Sequence, residues 1–341
     1  MKLGLSTGYW SAGPPHGVEA QVAEAEALGF DSMWTSEAYG SDALGPLAWW
    51  GSRTKRLKLG TAIFQMSARA PAATAMAAMT LDHLSGGRVI VGLGVSGPQV
   101  VEGWYGRPYP RPLARTREYV EIMRRVIARE EPVTFDGDHY SLPLKGGSGL
   151  GKPLKSTIHP VRTDVPIYLG AEGPKNVALA AEICDGWLPI FFAPRDDGFY
   201  RTALAEGFAR PGARRTSDDF EVAAMVPVIP NPDLEGAADL VRPMLALYIG
   251  GMGAKGRNFH KEVFVRMGYE AECELIQNLY LDGNKREAIA AVPTAMVEDT
   301  ALIGSPAKIK DDLARWQESV VTTLLIQGPP ELLRMMAELV R

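Results

Sequence analysis

Short apolar runs of β character alternate with segments of helical period along most of the chain. That alternation is the pattern of a parallel sheet whose strands are joined by crossover helices. Lys2–Ser6 predicts the first strand, and Val18, Val22, Ala25 and Leu28 then mark one face of a helix that Gly29 closes. Phe30–Thr35, Leu57–Phe64 and Arg88–Leu93 predict strands two to four. An Ala- and Met-rich helix from Pro71 to Leu84 falls between the last two, its proline suited to the first helical turn. Tyr119, Ile122, Met123, Val126 and Ile127 recur at helical spacing and make the clearest amphipathic helix in the chain. Val165–Leu169, Gly186–Phe191 and Phe220–Ile229 predict strands five to seven, followed by helical stretches at Asp233–Tyr248 and Glu270–Leu281. A last helix opens at Ser305-Pro306 and turns Ile309, Leu313 and Trp316 inward, and Val320–Ile326 is the eighth strand.

Eight strand signals in succession, with no linker splitting them, predict an α/β fold of the (β/α)8 TIM-barrel type rather than a doubly wound sheet. The whole chain, 1–341, reads as a single domain with insertions around 130–165 and 247–300. The first insertion is rich in Gly, Pro, Lys and His without a sustained period, which predicts a long excursion on the barrel rim.

Bulk properties narrow the function. A composition of 46% apolar and 22% charged residues is that of an ordinary globular protein, and a net charge of −4 argues against a nucleic-acid partner. Cys184 and Cys273 stand in no CxxC or Cys/His spacing and read as reduced thiols. The amino terminus lacks a secretory pattern and no run of apolar residues is long enough to span a bilayer, so a cytoplasmic location without a membrane partner is expected. No HxH or HExxH spacing supports a metal, and no GxSxG elbow supports an acyl-transfer serine. His83 lies at a helix end, where capping or packing is its expected use.

Candidate chemistry gathers at the predicted C-terminal ends of the strands, where barrel enzymes carry their sites. Gly170-Ala171-Glu172-Gly173-Pro174 follows a strand and opens a helix, so its amides can cradle a phosphate, although a plain tight turn accounts for it equally well. In the second glycine cluster, Gly94 and Ser96 could let a flat ring or a ribityl chain lie against backbone; the dinucleotide fingerprint lacks its acidic partner here. Thr61, Ala62 and Ile63 end strand three in small and branched residues, which suits either a bulge against a planar cofactor or simple core packing. Glu37 and Tyr39 come just after strand two as candidate proton donors or hydrogen-bond partners. Tyr9, Trp10, Trp104, Tyr105, Phe191 and Phe192 could wall a small-molecule pocket by stacking, the Phe191-Phe192 pair foremost.

With these residues in view, the chain resembles the bacterial luciferase-like flavin and deazaflavin oxidoreductases. The matching stretches are Gly29-Phe30-Asp31-Ser32-Met33-Trp34 with Glu37, Leu59-Gly60-Thr61-Ala62-Ile63, and Leu81-Asp82-His83-Leu84-Ser85-Gly86-Gly87-Arg88 running into Gly92-Leu93-Gly94. They continue with Tyr168-Leu169-Gly170-Ala171-Glu172-Gly173-Pro174, Asp185-Gly186-Trp187 and Ile303-Gly304-Ser305-Pro306. The similarity is greatest to the branch that uses coenzyme F420, which includes methylenetetrahydromethanopterin reductases, and it extends through Ala246–Glu270. It implies hydride transfer at deazaflavin C5, a phosphate near Gly170–Gly173, a ring on a bulge with a cis peptide at Ala62–Ile63, and a homodimer. The alternatives are an FMN-dependent monooxygenase of the same family and a non-catalytic deazaflavin carrier. Two departures stand out. Ser6 and Thr7 occupy the place of the reductases' strand-one carboxylate, and Ala38, not histidine, follows Glu37.

Overall fold

A computed structural model of the chain describes residues 1–253, 256 and 258–341. Its centre is a barrel of parallel strands: β1 (Lys2–Ser6), β2 (Ser32–Thr35), β3 (Lys58–Thr61), β4 (Val89–Gly94), β5 (Ile167–Gly170), β6 (Gly186–Leu188), β7 (Glu221–Met225) and β8 (Thr323–Ile326). β1 lies between β2 and β8, in register Lys2↔Thr323 to Leu5↔Ile326 with the latter. β3 meets β4 through Leu59↔Val89 and Gly60↔Ile90, so the sheet closes on itself.

The near-continuous apolar runs of the strands follow from burial on both faces. Successive side chains alternate: Leu324 and Ile326 face the helices while Leu325 fills the barrel, and Val91 and Leu93 point out where Ile90 points in. Trp34, Ile90, Tyr168, Leu188, Ala223 and Leu325 make the inner filling. Gly60 exists to admit one of them, since a Cβ there would stand 2.3 Å from the indole of Trp34.

Several strands are shorter than their apolar runs, for local reasons. The run Leu57–Phe64 leaves the barrel after Thr61, passes a cis peptide between Ala62 and Ile63, and rejoins as Phe64–Gln65 beside the end of β4. The run Phe220–Ile229 breaks at Pro227, which has no N–H for the ladder; Val228–Pro230 then pairs outside the barrel with Leu302–Gly304. Gly186–Phe191 ends at Leu188, and Phe191 takes a positive φ of 56°.

The two insertions fall on opposite faces. Residues 130–165 connect a helix, Pro112–Ala128, to β5, and such connections lie at the N-terminal end of a barrel. The excursion carries a small hairpin, Phe135–Asp136 with Ser141–Leu142, and ends where Arg162 grips the buried Asp82 at 2.9 Å beside the start of β4. That segment therefore braces the face opposite the C-terminal ends of the strands. His83 belongs to the same brace, through a 2.6 Å contact with the carbonyl of His159.

The second insertion leaves the C-terminal end of β7. It folds into helices Leu234–Gly250, Phe259–Arg266, Glu270–Leu281, Lys285–Ala290 and Thr294–Thr300, with their own buried apolar cluster that includes Phe191 and Ile303. The expected insertion around 247–300 takes in positions 254, 255 and 257, which lie outside the described residues. No helix among the described residues is long and apolar enough to cross a membrane, and none of their His, Cys, Asp and Glu side chains cluster as a metal site would require.

Candidate active site

The C-terminal ends of the strands form a mouth with a firm floor and two charged walls. At the floor, the side chain of Ile63 is directed over Gly94 and Gly170: a Cβ on Gly94 would meet Ile63 Cδ1 at 2.2 Å, and one on Gly170 would meet its Cγ2 at 3.3 Å. Both glycines keep the strand ends flat beneath the turned peptide. The amide of Ala62 is tied to the carbonyl of Thr35 at 2.7 Å. Thr61, expected to touch a cofactor, is instead buried in the wall, where its hydroxyl donates to the Gly92 carbonyl at 2.9 Å and accepts from the Gly92 amide at 3.0 Å. A β-branched residue with a hydroxyl can lock two strands together from inside, and here that use consumes it.

One wall is built on Glu37. The carboxylate is buried, accepts from Arg69 Nη1 at 2.7 and 2.8 Å, and accepts from the main-chain amide of Gln65 at 3.0 Å. Arg69 also lies over the ring of Phe64, 4.8 Å from its centroid. Held this way, Glu37 acts as a hydrogen-bond acceptor that ties the end of β2 to the segment after the bulge. The phenol of Tyr105 stands near this ion pair, and burial followed by the charge of Glu37 pushes it above the usual tyrosine range. Ser96 takes a positive φ of 57°, and its carbonyl accepts from Tyr109 at 3.1 Å.

The opposite wall is built on Glu172. Ala171 is buried and its carbonyl accepts from the indole of Trp187 at 2.8 Å. Glu172 reaches across to His260 Nδ1 at 2.5 Å, and its carbonyl accepts from Arg266 at 3.0 Å. His260 stands edge-on to Tyr248, with centroids 4.8 Å apart, and Phe191 packs between Tyr248 and Phe264. Tyr9 and Tyr39, both partly exposed, come close enough to Tyr248 to act on it electrostatically. Burial raises the Tyr248 phenol above the usual tyrosine range, so it stays neutral at physiological pH.

Between the walls, Gly173 caps the helix Pro174–Ile183 with no atom near the position a Cβ would take. Open space at a helix N-terminus suits an anion. Asn176 Oδ1 in that first turn and Gln65 Oε1 beside the bulge are both buried and have no hydrogen-bond partner among the described residues. Orphaned buried polar atoms of this kind are unusual in a finished interior and fit a mouth that receives a polar ligand. A flat head on the Ile63 corner and an anionic tail at Gly173 therefore match the residues present.

Other expected residues have different uses. Phe192 is buried in the outer core against Trp187, Tyr200 and Trp316, so it walls no pocket; the alternation of facing along the chain sends Phe191 and Phe192 to opposite sides. Trp10 turns away from the mouth toward Trp50, at 6.3 Å. Arg69, Tyr248 and His260 went unread in the sequence. His260 lies 88 residues from Glu172, and no local spacing signals that pairing.

Fold and mouth together define a (β/α)8-barrel protein shaped for a planar cofactor with an anionic tail. The chain belongs to the luciferase-like monooxygenase family, whose model it matches over residues 3–323. It is 56% identical, over 100% of its length and 99% of the relative's, to a Mycobacterium tuberculosis protein provisionally named a coenzyme F420-dependent oxidoreductase. It is 28% identical to the 5,10-methylenetetrahydromethanopterin reductase of Archaeoglobus fulgidus, over 92% of this chain and 89% of that one. Among solved structures, the coenzyme F420 dependent tetrahydromethanopterin reductase from Methanopyrus kandleri matches with a TM-score of 0.81 at 23% identity, covering 99% of this chain and 97% of that one.

Proposed function

We propose that this chain is a coenzyme F420-dependent oxidoreductase that moves a hydride between the deazaflavin ring and an organic substrate. The observation that carries the reading is the joint geometry of the Ile63 side chain over Gly94 and Gly170 and the open helix N-terminus at Gly173, in a chain 56% identical to a relative named for F420. When bound, F420 supplies the hydride donor or acceptor at C5.

The chain's own residues supply position, electrostatics and a proton. The Ile63 corner supports one face of a ring, and the amides after Gly173 hold a phosphate. Glu37 and Arg69 pin the loops after β2 and β3 to each other, which keeps the corner in place. We assign Glu37 this positioning role in preference to proton donation, because both its oxygens already accept hydrogen bonds. Glu172 fixes the ring of His260 through Nδ1, and we assign this pair to proton traffic with the substrate. Tyr39 and Tyr9 add phenol hydroxyls on the same side. Two free, buried cysteines suit a reducing, cytoplasmic setting.

The test is a titration of the cofactor-free protein with F420 and, separately, with FMN, following tryptophan emission and the visible absorbance of each ligand. F420 is expected to saturate in the micromolar range. Micromolar binding of FMN with none of F420 would replace this reading with that of a flavin monooxygenase.

A further inference from the structure

Across the mouth from the Ile63 corner, two neutral polar side chains stand without partners. In the closed order of eight strands, β1 lies opposite β5 and β8 opposite β4, so the ends of β1 and β8 face the corner over Gly94 and Gly170. Ser6 ends β1. It pairs in register with Trp34 of the inner filling, and the alternation that sends Leu3 and Leu5 outward turns Ser6 toward the barrel axis. The residue is 2% exposed, and its hydroxyl makes no hydrogen bond to any described residue. Thr7 beside it is spent, since its hydroxyl donates to the Trp34 carbonyl at 3.2 Å, and the Trp34 indole donates to Ser32 at 2.8 Å.

Gln327 follows β8, one step beyond the pair Leu5↔Ile326 and hence beside Ser6. Its amide covers Gly8, which has no room for a Cβ beneath it, and that amide too has no hydrogen-bond partner among the described residues. Both residues belong to the same mouth as the corner, because Ala62 and Ile63 pack on the inner cluster that contains Trp34 and Leu325.

Buried polar groups without partners are unusual in a finished interior. A hydroxyl and an amide can donate to a carbonyl oxygen and equally accept from an alcohol, so one arrangement serves both directions of a redox reaction. Charge is not on offer here: the two carboxylates described in the mouth are engaged, Glu37 with Arg69 and Glu172 with His260. A carboxylate at the place of Ser6 would favour a substrate that carries or develops positive charge, and a hydroxyl gives no such help.

We infer that Ser6 and Gln327 hold the oxygen of an uncharged carbonyl or alcohol, and that this is the reacting group of the substrate. The inference rests on the proposed F420-dependent activity. In the reducing direction, the hydride that leaves deazaflavin C5 forms the new C–H bond at the carbonyl carbon, and the π pair of the C=O bond takes up one proton to form the O–H. The deazaflavin is oxidised by two electrons and the carbonyl reduced by two, with the Glu172–His260 pair as the source of the proton.

The experiment compares the full-length protein with Ser6→Ala, Ser6→Asp and Gln327→Ala. Each is titrated with F420 by fluorescence. The loaded proteins are then given acetone, cyclohexanone, decan-2-one, acetophenone and benzaldehyde, and separately the cation N-methyl-1-pyrrolinium. Binding is read from the change in emission of oxidised F420, and turnover from the absorbance gained as reduced F420 is oxidised. F420 affinity is expected to match the parent's in all three variants. At least one neutral carbonyl should bind and be reduced, with kcat/KM lower by about tenfold in Ser6→Ala and in Gln327→Ala, the worth of one hydrogen bond, and lower still in Ser6→Asp. If F420 binds the parent but no carbonyl is bound or reduced, if the cation is reduced in preference, or if Ser6→Ala reduces carbonyls as well as the parent, the inference alone is overturned. A loss of F420 affinity in Ser6→Ala would place Ser6 against the cofactor and overturn it as well. Failure of the parent to bind F420 overturns the proposed activity itself.

Discussion

At the scale of single residues, the chain uses glycine where a neighbour must come close and polar side chains where two strands must be tied. Gly94 shows the first. Adding a methyl there forces Ile63 off the strand end and up into the space above the corner. Gly94→Ala is therefore expected to fold with a melting temperature lowered by several degrees, since overpacking costs about 1–3 kcal/mol, and to lose F420 affinity by about tenfold or more as Ile63 shifts. Equal F420 affinity in the two proteins would show that the corner does not support the ring. Cysteine gives a second test. Cys184 and Cys273 are both buried, and burial pushes each thiol up to about 12. A colorimetric thiol reagent at mildly alkaline pH should find no reactive thiol in the native protein and both after unfolding in guanidinium, because the thiolate is the reactive form. Rapid native reaction at either position would contradict the packing around it. The residues that surprised at this scale, Thr61 and Phe192, share one cause: a strand-end pattern shows which side chains alternate but not which face the mouth occupies.

Between elements, the N-terminal end of the barrel is held by charge. Asp185, at the start of β6, is buried and accepts from the Ile167 amide at 2.8 Å, from Arg124 at 2.8 Å, from Arg214 at 2.6 Å and from Arg215 at 2.8 Å. It thus joins β5, β6, the helix Pro112–Ala128 and the loop before β7 in one knot. Burial, with Arg124 and Arg215 as neighbours, brings the Arg214 guanidinium down to about 10, so the cluster depends on its central carboxylate. Asp185→Asn keeps the shape and removes the charge. The three arginines remain about a quarter exposed, which softens the loss, and a destabilisation of about 2–3 kcal/mol is expected in urea denaturation. A change below about 0.5 kcal/mol would mean the knot is merely decorative, as many exposed ion pairs are. The insertion at 130–165 obeys the same logic of elements. A segment that joins a helix to a strand must lie at the stabilising end of a barrel, whatever its composition suggests, whereas the segment after β7 must lie over the mouth.

For the molecule as a whole, the helix Pro71–Ser85 presents an outward stripe of Ala73, Met76, Thr80 and Leu84, with Met76 58% and Leu84 78% exposed. Apolar surface repeated at helical spacing invites a like surface, and we propose a homodimer through this face. Light scattering should return twice the 36.9 kDa chain mass, and Met76→Glu with Leu84→Glu should return the single chain. A parent that is monomeric at micromolar concentration would refute the proposal. The sequence by itself determined the barrel, because eight apolar runs with helices between them have few other ways to bury both faces of a parallel sheet. The turn at Gly170–Pro174 left a local trace in its glycines and proline, whereas at Thr61–Ile63 the residues alone suited either a bulge or core packing and only the family resemblance implied the corner. Tertiary structure alone decided the pairings of Glu37 with Arg69 and of Glu172 with His260, and the burial of Phe192. Each joins segments far apart in the chain, and distance across a closed barrel leaves no periodicity for a linear reading to find.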